Sequence, residues 1–166
     1  TGVYYNHPAL AANIWTNPGE IPGNGIDDDG NGFVDDIHGW DFINNDNDPM
    51  DDNGHGTHCS GTIGAVGDNG IGVAGVNWQV KIMPLKILSA SGKGYLSDGG
   101  KAVRYALEKG AIASNHSYAG DSYSSALAAA IEDAKAAGHI VVAAAANNGR
   151  DIDEQPAYPA AYDHDN

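Results

Sequence analysis

The apolar positions divide the chain into a front section with little periodicity and a rear section where strand-length and helix-length runs alternate. Residues 16 to 54 carry Pro18, Pro22 and Pro49 among many Gly, Asn and Asp residues, and predict loop. From about 54 to 66 the small residues of GHGTHCSGTIGAV predict a helix that packs very close to its neighbours. IGVAGV and VKIMPLKIL predict short buried strands, with Pro84 arguing against a regular central ladder. SDGGKAVRYALEKG places Val103, Ala106 and Leu107 at helical spacing, with Ser97 as cap and Gly110 as stop. Gly99 and Gly100 weaken its first turn, by up to about 1 kcal/mol each relative to Ala.

AIASNHS then predicts a strand, SYSSALAAAIEDAKAAG an Ala-rich helix stopped by Gly138, and HIVVAAAA another strand. Strand, helix, strand, helix, strand with short connections predicts an α/β fold, a mostly parallel sheet flanked by helices. Ligands of such sheets bind beyond the carboxyl ends of the strands. Here those ends carry NHSYAG and NNGR, so function is sought there. No internal repeat stands out.

Composition changes the picture further. At 166 residues the chain is long enough for one domain with a real core. No apolar run approaches the roughly 18 residues a membrane helix needs, and no targeting peptide is visible. The net charge is −14, and residues 1 to 80 hold twelve acids with no Lys or Arg. Such a surface repels nucleic acid and anionic membranes. It either keeps the protein soluble or binds cations. One Cys allows no disulfide within the chain, so cysteine usage leaves the compartment open.

HGTH is the densest candidate chemistry. A zinc site of the helical type wants two His at i and i+4 with Glu between. His55 and His58 are at i and i+3 with no Glu adjacent, which argues against zinc. Cys59 has no CxxC partner and reads as a small buried packing residue. A general base at a helix start, or a satisfied structural His, remains for His55. Asn147 follows an apolar strand, where the residues alone allow either a turn or an amide donor. DDDGNGFVD places Asp27, Asp29 and Asn31 at positions 1, 3 and 5 of an EF-like loop, with Asp35 at 9. Alternating oxygen ligands around a tight Gly turn suit calcium. His38 stands at position 12 where a bidentate Glu belongs, so this is not a complete EF-hand.

NGHGTHCSGTIGA resembles the catalytic-histidine motif of the subtilisin-like (subtilase) serine proteases, with its Cys as in the thermitase and proteinase K branches. The resemblance extends essentially from Thr1 to Asn166, in the family's order. It implies a three-layer subtilisin-like fold, here a partial catalytic domain incomplete at both ends. It implies His55 as the base and Asn147, in VVAAAANNG, as the oxyanion donor. Gly92, Lys93 and Gly94 of ILSASGKG would form the strand edge that pairs with substrate. Ser117, Tyr118, Ala119 and Ala146 would line the pocket for the residue before the scissile bond. DNGIGVAGV resembles a calcium-holding loop, implying Asn69, Ile71 and Val73. WDFINNDNDPM resembles a second, implying Asp41, Asn44, Asp46 and Asp48.

Departures accompany the match. The family's catalytic Asp would precede Thr1, and its nucleophilic Ser lies in a GTSMA-like segment beyond Asn166. The sequence therefore reads as an internal fragment of a longer precursor. Tyr4 and Ala9 stand where relatives usually carry Asp, and Ala119 and Ala146 where Gly usually lines the pocket. The expectation is a secreted, monomeric, calcium-stabilised serine endopeptidase acting on peptides or proteins. The rivals are a non-enzymatic calcium-binding module and a degenerate subtilase that binds peptides without cutting.

Overall fold

The structure is a computed structural model that describes residues 1–163. The chain forms two compact units, Thr1–Gly94 and Tyr95–Asn166. Strand β1 (Trp40–Asp41), helix α1 (His55–Gly64) and strand β2 (Leu85–Lys86) belong to the first. Helix α2 (Leu96–Glu108), strand β3 (Ala113–His116), helix α3 (Ser125–Ala136) and strand β4 (Ile140–Ala143) belong to the second. The α/β class and parallel pairing are as expected: β1 pairs with β2 and β3 with β4, both in parallel. Among the described residues these are two separate two-stranded sheets. No described helix is long and apolar enough to cross a membrane.

In the first unit, Val3, Ala9, Leu10, Ile14 and Ala65 form the core, with Tyr5 and Ile82 packed against it. Regular structure is sparse because Asx-type turns replace it. Asp41, Asn17, Asn24, Asn31, Asp46 and Asp48 each accept from a main-chain N–H two residues on. Lys86 is 1 % exposed, and its ammonium reaches Asp41 at 3.5 Å, Asp52 at 3.1 Å and the Leu88 carbonyl at 2.8 Å. A buried ammonium is tolerated only with such partners.

IGVAGV is not a strand. Ile71, Val73 and Val76 are 44 %, 66 % and 90 % exposed, and positive φ at Gly70 and Gly72 breaks the extended path. The segment instead returns onto the end of α1, where Gly75 and Val76 donate to Ala65 and Thr62. Of VKIMPLKIL only Leu85–Lys86 is strand.

In the second unit, Val103 on α2 meets Leu127, Ala130, Ile131 and Ala134 on α3, with Val141 of β4 against them. Alternation along β4 leaves Ile140 and Val142 exposed on the other face. Ser124 caps α3 by accepting from the Leu127 N–H. The expected Ser97 cap is not one: α2 begins at Leu96, because Leu96 packs against the helical core and extends the helix past it. Gly100 belongs where it is, since a Cβ there would sit 2.8 Å from the Ala126 carbonyl of α3. Gly100, one of the two glycines that weaken α2, lets the two helices approach.

Candidate active site

His55 is the first residue of α1 and its imidazole is exposed. The helix start is held from below by one carboxylate. Asp51 accepts from the main-chain N–H groups of Asn53, Gly54 and Thr57, and from the Thr57 hydroxyl. Burial opposes the charged form of Asp51, but these hydrogen bonds outweigh it and hold the carboxyl well below the usual range. The Thr57 hydroxyl in turn accepts from the Tyr4 N–H at 2.8 Å. Gly56 lies against Thr1 and Gly2: its N–H reaches the Thr1 hydroxyl at 3.0 Å, and a Cβ would fall 2.0 Å from the Gly2 carbonyl. Any side chain at position 56 would push α1, and His55 with it, off this seat.

Cys59, one turn on, places Sγ 3.8 Å from His55 Nε2. It is half-buried rather than the fully buried residue expected, because it shares the open face of α1 with His55. His58 is exposed and joins no group of convergent ligand atoms among the described residues. Gly94 is exposed, and a Cβ there would sit 2.0 Å from the Ile87 carbonyl. Lys93 spends its carbonyl on the N–H and hydroxyl of Ser89, and Gly92 occupies the intervening turn at φ 71.

The second unit builds a different surface. Register pairs His116 with Ala143, and the Ala144 N–H donates to the His116 carbonyl. Ser117–Ala119 and Ala144–Asn147 therefore leave neighbouring strands at the same, carboxyl, end. Ala119 and Asn147 are exposed there. Ala146 has φ 71, the left-handed region that Gly adopts freely and Ala does not. Beneath this surface the buried His116 imidazole bonds the Ser114 hydroxyl at 2.8 Å and the Tyr118 hydroxyl at 2.9 Å. Burial, with His139 nearby, pushes His116 down to about 4, so it is neutral at pH 7. Burial pushes Tyr118 upward, so its hydroxyl stays protonated. Ser117 Oγ accepts from Asn115 Nδ2 at 2.9 Å.

The acidic loops divide. Glu20, Asp27 and Asp29 each bring a carboxylate oxygen within 4.8 Å of the others. Asp35 points elsewhere, accepting from the N–H groups of Gly23, Asn24 and Gly25. Asn31 donates to the buried Asp36 and closes its own turn through Phe33. In the second loop Asp41 is fully buried on Lys86 and on Ile43, Asn44 and its amide, while Asp46 and Asp48 close turns. Asn69 accepts from the Ile71 N–H, and Ile71 and Val73 are exposed.

Comparison with known proteins decides what this arrangement belongs to. The sequence model of the subtilase family matches residues 1–164. The chain belongs to the subtilase family. It is 43 % identical over 157 residues to subtilisin-like protease 1 of Plasmodium vivax, covering 94 % of this chain and 25 % of that protein. It is 35 % identical over 158 residues to thermitase of Thermoactinomyces vulgaris, covering 95 % and 49 %. Among solved structures, a cold-adapted subtilisin-like serine proteinase superposes with a TM-score of 0.66 at 30 % identity, covering 96 % of this chain and 48 % of that one. A psychrophilic protease gives 0.71 at 29 %, covering 91 % and 45 %. The chain thus spans a quarter to a half of the length of these relatives, and the fold is the subtilisin-like α/β fold.

Two residues that matter to this subtilase were not legible as such. Asp51 lies four positions before His55, and Gly54 holds the N-cap position, so the usual capping signal does not mark it. Glu20 had no signal. It lies seven residues before Asp27 across a Pro–Gly loop, and only folding brings it to Asp29 and Asp27.

Proposed function

We propose that this chain is part of a secreted, monomeric subtilisin-like serine endopeptidase that cleaves peptide bonds of peptides or proteins through an acyl-enzyme. His55 serves as general base, taking the proton of a serine hydroxyl and returning it to the leaving amine. The serine, and the acid that orients His55, come from the remainder of the full-length protein. Asn147 donates its amide to the carbonyl oxygen as negative charge builds there. Carrying the reading is the seat of His55: an exposed imidazole at a helix start fixed by Asp51, Thr57 and the Gly2–Gly56 contact, in a chain of this family. Ala119 and Ala146 narrow the specificity pocket and favour small residues before the scissile bond.

Glu20, Asp27 and Asp29 fit a structural calcium ion. Their three convergent carboxylates repel one another without a counter-charge, and hard oxygen donors suit this cation. When bound it would neutralise them and tie the 20–29 loop together. Asp41 fits less well, since any cation there would compete with the Lys86 ammonium.

The test is the full-length protein on casein and a fluorogenic peptide, with a serine-directed phosphonate as probe. Steady turnover, phosphonate inactivation and loss of turnover in H55A support the reading. Phosphonate-resistant turnover, or turnover retained in H55A, refutes it. Absence of all cleavage with calcium-dependent stability intact selects the non-enzymatic module.

A further inference from the structure

We infer that Arg150 is a positioning residue that fixes the loop presenting Asn147, an inference that rests on Asn147 being the oxyanion donor. Arg150 ties three segments of the second unit together. Its Nη2 lies 2.7 Å from Asp121 Oδ1, on the segment that continues from Ser117–Ala119, and 3.1 Å from the Pro156 carbonyl. Beside it, Gly120 and Tyr158 exchange main-chain hydrogen bonds at 2.9 and 2.8 Å, an antiparallel bridge between the same two outer segments. Arg150 adds the third, the loop from Ala144 to Gly149.

That loop needs an external tie. Positive φ at Ala146 and at Gly149 flanks Asn147, and the alanine is held in a conformation it disfavours. Such a residue stays there only where its surroundings over-determine it. Arg150 closes the loop two residues after Asn148, and its side chain is only 17 % exposed. The Asp121 carboxylate is 82 % exposed, so solvent screens the ion pair and its contribution to global stability is small. What the contact supplies is geometry. The planar guanidinium makes both bonds through the single nitrogen Nη2, while its buried Nε has no hydrogen-bond partner among the described residues. A lysine ammonium can keep the charge pair without holding that plane.

The experiment compares kcat and KM of the full-length protein for R150A, R150K, D121N, N147A and the double variant N147A/R150A. With folding checked by circular dichroism, R150A is expected to lower kcat by about 10-fold or more at a KM changed less than about 2-fold, as misplaced machinery does. R150K recovers part of the loss and D121N falls between. N147A lowers kcat by about 10²- to 10³-fold, and N147A/R150A is no slower than N147A alone. An unchanged kcat in R150A, a rise in KM instead, or the same loss with and without Asn147 overturns the inference. An unchanged kcat in N147A overturns the oxyanion reading itself, and this inference with it. If R150A fails to fold, D121N and N147A/D121N provide the same comparison.

Discussion

Lowering the pH from 7 to 5 should destabilise the second unit through one imidazole. His116 is 5 % exposed, and both ring nitrogens are engaged, by Ser114 and Tyr118. Desolvation first, and then the neighbouring His139, bring it from its ordinary 6.5 down to about 4. The folded state therefore takes up the proton less readily than the unfolded chain, so stability from this group is complete above pH 6.5. It is lost as pH falls from 6.5 towards 4. At 1.36 kcal/mol per pH unit, the gap corresponds to roughly 3 kcal/mol in full, of which roughly 2 kcal/mol is gone by pH 5. Urea unfolding at pH 7 and pH 5 measures it, on the wild type and on H116Q, whose amide still donates and accepts but does not titrate. The wild type should lose roughly 2 kcal/mol more than H116Q across that interval. An NMR titration of the His116 ring gives the second reading. Equal losses in the two proteins, or a ring that titrates near 6.5, would refute the argument that burial dominates here.

Three further outcomes are expected. A146G should raise stability by about 1 kcal/mol in urea unfolding, because glycine relieves the φ of 71; a decrease would mean that the alanine methyl makes a contact worth more than the strain. D51A should cost about 1 to 2 kcal/mol and reduce turnover of the full-length protein, since three N–H groups and a hydroxyl at the start of α1 lose their acceptor. E20Q should shrink the calcium-induced rise in melting temperature after EDTA treatment, and calorimetric titration should show weaker binding than in the wild type.

What the sequence by itself determined is local. The Ala-rich run with Ser124 and Gly138 at its ends specified α3, and the strand-length stretches AIASNHS and HIVVAAAA on either side specified β3 and β4, because caps, stops and periodicity act between near neighbours. The HGTH motif and the segments around it carried the family from Thr1 to the end of the match. What only the tertiary structure decided involves residues far apart along the chain. IGVAGV is apolar enough for a strand, yet no strand among the described residues pairs with it, and its valines lie open to solvent. Asp41 sits in a loop rich in acids, and only folding places Lys86, 45 residues on, against it. Glu20 joined Asp27 and Asp29 only through the path of the intervening loop. A charge's role depends on which opposite or like charge comes within a few ångströms, and that distance is set by packing rather than by spacing in sequence.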